Sequence, residues 1–119
     1  MKIPKSLRTW FLIHFIIDLI FGIPLLFFPE TTLSLFGIKT LETVTPRLVG
    51  AALIGIGGTS YFTKKKDFSI MLTLKIIWSL SAILGLLLAL CQGAPKLVWL
   101  IAGMFAVFSG IWIYYKKTT

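Results

Sequence analysis

Residues 68–90 read FSIMLTLKIIWSLSAILGLLLAL, and Lys75 is the one charge in these 23 positions. About 20 predominantly apolar residues is the length an α-helix needs to cross the hydrocarbon core of a bilayer. Three more runs of this kind flank it, at about 7–28, 44–63 and 97–115. The stops between them are recognisable. Pro29-Glu30 ends the first run. Thr45-Pro46 opens the second, with Thr45 read as N-cap and Pro46 in the first turn, where a missing N–H costs nothing. Lys64-Lys65-Lys66-Asp67 separates the second from the third, Gln92-Gly93-Ala94-Pro95-Lys96 turns into the fourth, and Lys116-Lys117 closes it.

Composition agrees. The 119 residues are 57% hydrophobic and 13% charged, where a soluble domain has about 45–50% and 25%. A chain this apolar, with 14% aromatic residues, is not disordered. One cysteine, Cys91, excludes a disulfide scaffold. The net charge of +8 does not mark a nucleic-acid partner, because the cations sit in short clusters between apolar runs rather than along a folded basic face. The fold class expected is therefore all-α, a single integral membrane four-helix bundle over residues 1–119. The first run has a basic start at Lys2, Lys5 and Arg8. It is longer than a signal-peptide core and lacks a small-residue cleavage site, so it reads as a retained span.

The clusters also give an orientation. Lys2, Lys5, Arg8, Lys64, Lys65, Lys66, Lys116 and Lys117 fall on one side, and Lys39, Arg47 and Lys96 on the other. Under the positive-inside rule both termini are cytoplasmic, and the location is the prokaryotic cytoplasmic membrane, multi-pass. Between the first two spans, Leu33 and Phe36 stand three apart and Gly37 follows, which predicts a short helix on the outer interface with a glycine C-cap.

Small residues predict the contact faces, since close packing drives helix association in lipid. Gly50, Ala51, Ala52, Gly55, Gly57 and Gly58 make the second span look central, and Ala51-x3-Gly55-x3-Thr59, Ser81-x3-Gly85-x3-Ala89 and Ala102-x3-Ala106-x3-Gly110 are the candidate stripes, for contact within one chain or between chains. Pro24 removes a hydrogen bond within the first span and predicts a kink. Trp10, Tyr61, Trp99, Trp112, Tyr114 and Tyr115 lie towards span ends, as interface aromatics do, while Trp78 lies deeper, at a position suited to the bundle interior.

His14, Asp18, Arg47 and Lys75 are the ionisable residues within the spans. A charge at mid-membrane costs about 2.5–3.5 kcal/mol on insertion scales, so each reads as a functional or pairing residue. His14 and Asp18 share a helix face at i, i+4. Asp18 lies about 15 Å along the helix from Arg8, and Lys75 about 12 Å from Asp67. These depths make His14, Asp18, Lys75 and Trp78 the candidate ligand-binding or proton-coupling set. The same residues also fit a plain Asp–Lys lock between helices, or a Lys75 that snorkels. Glu30 and Arg47 form a candidate outer clasp, or Arg47 an anion site near a helix N-terminus.

Other chemistry finds no motif: no cysteine pair, no second histidine for haem or zinc, no phosphate-binding glycine loop. No cofactor and no metal are expected. The stretch Gly22-Ile23-Pro24-Leu25-Leu26-Phe27-Phe28-Pro29, then Leu35-Phe36-Gly37, then Pro46-Arg47-Leu48-Val49-Gly50-Ala51-Ala52-Leu53-Ile54-Gly55-Ile56-Gly57, resembles the small bacterial four-span families grouped with the DoxX-like proteins. The resemblance covers the first half best. It implies a four-helix membrane bundle, in some cases an accessory to redox enzymes. The chain is also the size of small multidrug transporters, whose first-span glutamate has only a crude analogue here in Asp18.

Three functions follow as expectations. One is a non-enzymatic membrane protein that binds a lipid-like or hydrophobic molecule or serves a larger membrane complex. The second is a homodimeric proton-coupled transporter using Asp18. The third is an intramembrane isomerase with His14 and Asp18 as acid and base. The charge asymmetry makes a direct prediction: in intact cells an impermeant thiol reagent labels Lys39→Cys from outside and leaves Thr119→Cys unlabelled. Labelling of position 119 from outside reverses the topology.

Overall fold

The computed structural model describes residues 3–40 and 42–118. They form five α-helices: α1 (Lys5–Phe27), α2 (Pro29–Ser34), α3 (Val44–Phe62), α4 (Phe68–Cys91) and α5 (Val98–Thr118), with a 3₁₀ turn at Lys65–Asp67. There is no strand among the described residues. Each long helix falls within a few residues of an apolar run. Three of them are long and apolar enough to cross a membrane: α1, α4 with its preceding turn, and α5. That composition marks a membrane protein. The fourth long helix, α3, is less apolar than expected. Four glycines and Thr45, Pro46, Arg47, Thr59 and Ser60 dilute its 19 residues.

The described chain divides into two compact units, residues 4–63 and residues 64–118 together with residue 3. In the first, α1 and α3 pack antiparallel along a seam. The buried positions of α1 are Leu7, Phe11, His14, Asp18, Gly22 and Leu25. Those of α3 are Pro46, Gly50, Leu53, Gly57 and Ser60. Both sets advance by steps of four and three, the spacing that keeps one face towards a partner helix over many turns. Where the seam is tightest there is no room for a side chain. A Cβ on Gly50 would lie 2.7 Å from the Gly22 carbonyl oxygen and 2.9 Å from the Leu26 nitrogen.

Within each unit the predicted stripes are not the packed faces, apart from the buried Ala102. A Cβ added to Gly55, Gly85 or Gly110 would meet nothing within 4 Å. Ala51, Thr59, Ser81 and Ala106 are exposed. The glycines of α3 that pack are Gly50 and Gly57, seven apart.

α1 runs through Pro24 and ends three residues later at Phe27. Phe28 caps it, its N–H bonded to the Pro24 carbonyl at 2.7 Å. Pro29 then starts α2 at a position that needs no N–H. α2 ends at Ser34, and the turn that follows closes at Gly37, with φ of 77°, a left-handed conformation that glycine adopts without strain. Ile38 N–H bonds the Leu33 carbonyl and Gly37 N–H the Ser34 carbonyl, both at 3.0 Å, the paired closure of a Schellman motif. Thr45 is not the N-cap of α3. The helix starts two residues earlier, with Thr43 at the N-cap, and the Thr45 N–H is met by the Glu42 carboxylate at 2.7 Å.

The second unit is an α4–α5 hairpin. Its antiparallel register is fixed by Lys116 against Ser69, Lys75 against Trp112 and Trp78 against Phe105.

The seam predicts a contrast between glycines. Gly50→Ala forces backbone apart and should cost about 1–3 kcal/mol, as overpacking does. Gly55→Ala adds a methyl in open space and should stabilise by up to about 1 kcal/mol. Denaturant unfolding in detergent micelles measures both, and equal effects would refute the seam.

Candidate functional site

The first unit carries a buried ionisable pair. His14 and Asp18 point from successive turns of α1, with Nε2 3.3 Å from Oδ1, and are only 5% and 4% exposed. The spacing predicted this shared face. What admits Asp18 to the seam is its partner helix. A Cβ on Gly57 would sit 2.8 Å from the Asp18 Cβ, so a glycine is required opposite the aspartate. Ser60, also buried, lies nearly one turn further along α3 and donates to the Ile56 carbonyl at 2.8 Å.

The other two predicted site residues belong to the second unit. Lys75 is fully buried, with its ammonium 4.9 Å from the centroid of the Trp112 ring. A cation over an indole face is attracted by the ring quadrupole, worth about 2 kcal/mol when desolvated. Phe108 stacks on Trp112 with ring centroids 5.7 Å apart and extends the aromatic cluster. Lys75 is therefore held inside rather than snorkelling. Trp78 is half-buried and turns towards Phe105, with ring centroids 6.3 Å apart. Trp112, placed by its sequence position at an interface, is instead buried against Lys75.

The predicted clasp does not form. Among the described residues no ion pair joins Glu30 to Arg47, and both are exposed. The Arg47 guanidinium instead donates from Nε to the Leu26 carbonyl at 3.1 Å and from Nη1 to Thr43 Oγ1 at 3.4 Å. Leu26 is in the last turn of α1, whose carbonyls have no partner within the helix. A guanidinium there satisfies an orphan acceptor and complements the negative end of the helix.

Above that junction lies a feature not predicted as a site. The end of α1, α2, the following loop and the start of α3 enclose an open cleft of about 260 Å³. Leu25, Leu33, Ile38, Pro46 and Val49 give it apolar walls, and Thr40, Glu42 and Thr45 give it a polar edge. The sequence signal was Leu33, one of the two residues that predicted α2. Among the described residues no group of three or more His, Cys, Asp or Glu side chains is placed to hold a metal.

Comparison of the chain with protein-family models, with curated proteins and with solved structures finds no match in any of the three.

Glu42 links the cleft edge to α3. The Thr45 backbone N–H, then its side chain, hold the Glu42 carboxyl below the usual range, against a smaller opposing effect of desolvation. A lowered folded value means that this contribution is complete above the ordinary carboxylate range and is lost as pH falls through the lowered value. Glu42→Gln should therefore flatten the acid side of the unfolding-midpoint profile and leave its neutral region unchanged in slope. An unaltered acid limb would show that Glu42 does not cap α3.

Proposed function

We propose that this chain is a four-span protein of the prokaryotic cytoplasmic membrane that holds a lipid-like or hydrophobic molecule, without catalysing a reaction on it. The observation that carries this reading is the apolar cleft at the α1–α2–α3 junction. At about 260 Å³ it is smaller and more open than the usual small-molecule pocket of roughly 300–1,000 Å³, room for part of a chain rather than a whole ligand. It suits an acyl chain segment whose polar end stays at the rim. On this reading α3 is the fourth span. Its 19 residues extend about 28 Å, and it packs along α1. α2 lies at the outer interface, and both termini are cytoplasmic, as the lysine and arginine distribution requires. The DoxX-like layout of the first half fits the same architecture. It also fits an accessory place in a larger membrane complex.

A second reading has its own observation. The buried His14–Asp18 pair on a membrane-crossing helix is the kind of group that carries protons in transporters, and supports proton-coupled transport by a dimer.

The two separate in one binding assay. A spin-labelled fatty acid should bind the purified protein, and Val49→Trp, which fills the cleft, should weaken binding at least about tenfold, the loss of some 1.4 kcal/mol. Leu48→Trp, on the exposed face beside it, should leave binding unchanged. Equal binding by the Val49→Trp variant removes the cleft as the site. If binding then falls with Asp18→Asn instead, the transport reading takes its place.

A further inference from the structure

Neither the cleft nor the buried pair accounts for the lysine-rich end of the α4–α5 hairpin. Lys64, Lys65 and Lys66 precede α4, and Lys116 and Lys117 occupy the last turn of α5. The antiparallel register brings these two groups to one end. Lys116 confirms it, donating from Nζ to Ser69 Oγ at 2.8 Å and to the Ser69 carbonyl at 3.2 Å. All five lysines are exposed, and Asp67 is the one acid in either group.

Part of this charge is explained by the α5 terminus, whose carbonyl end favours cations. Lys116 is not placed to serve that end. Its ammonium is held in the first turn of α4, the positive end of that helix, alongside three further lysines. The positive-inside distribution accounts for the sign of this cluster, and five cations to one acid at such a place favour an anion among them. The groups are also positioned rather than trailing. Lys65 and Lys66 sit on a 3₁₀ turn closed by the Asp67 N–H on the Lys64 carbonyl at 2.9 Å, and Lys116 is tied down twice. Tyr114, exposed and two residues before Lys116, is of the type that settles at headgroup level. On the proposed four-span reading the ammonium groups stand at the level of the lipid phosphates.

We infer that this end of the hairpin is a binding site for an anionic phospholipid, its phosphate held among Lys65, Lys66, Lys116 and Lys117. Charge complementarity selects the headgroup, and the apolar flanks of α4 and α5 accept the chains. Basic clusters beside membrane helices draw anionic lipid at about 1 kcal/mol per residue, but a built site adds position to that attraction.

Native mass spectrometry of the full chain in neutral detergent tests it, with phosphatidylglycerol, phosphatidylcholine and inorganic phosphate as separate probes. One phosphatidylglycerol should be retained in preference to phosphatidylcholine. Lys65→Gln/Lys116→Gln should lower its affinity by roughly tenfold or more. Lys66→Gln/Lys117→Gln, which leaves the Lys116–Ser69 bonds in place, should do the same. Lys39→Gln/Lys96→Gln removes equal charge from the side that the lysine and arginine distribution sets opposite and should change it less than about twofold. Equal losses in all three variants would reduce the effect to a diffuse field and overturn the site. So would equal retention of the two lipids, or displacement of phosphatidylglycerol by inorganic phosphate at matched concentration.

Discussion

The close approach of α1 and α3 at Gly22 and Gly50 governs the first half of this molecule. With no side chain at Gly50, the two backbones come into contact, and everything on either side of that point is placed by it. Seven residues on, Gly57 leaves the space into which Asp18 fits. Three residues back, Arg47 is brought within reach of the Leu26 carbonyl. The end of α1 is thereby anchored to the start of α3, and the chain between them has to fold back over a short helix. The cleft is the space that this return path leaves open.

The two units use their buried ionisable residues differently. Asp18 keeps a histidine beside it on its own helix. Lys75 has an aromatic face from the neighbouring helix. Both arrangements provide locally for a group that is costly to insert. In each case the residue opposite matters as much as the charged one: glycine for the aspartate, tryptophan for the lysine.

Much of this is legible in the sequence, for identifiable reasons. Span length follows from apolar run length, so α1, α4 and α5 can be read directly. The short α2 is announced by Leu33, Phe36 and Gly37, and the His14–Asp18 pair by its spacing of four. The stripes of spacing four miss the α1–α3 seam because a spacing of four, repeated, drifts round a helix. The true seam repeats every seven, and Gly50 and Gly57 keep that period. The Glu30–Arg47 clasp fails because charge matching considers side chains only. The acceptor that wins is a backbone carbonyl at a helix end, which sequence does not display. The cleft depends on the path of the chain between α2 and α3, and no local pattern encodes that path.

The glycines that let α3 fit so closely against α1 also make it the least oily of the long helices. On the four-span reading this bears on how the protein is made. A segment with an arginine near its start and four glycines gains little by partitioning into lipid alone, whereas α1 can enter first and offer it a matching surface. Biogenesis of the first half would then be sequential and assisted from within: one helix acts as the doorway for the next, and the short connection keeps the newcomer within reach while it enters.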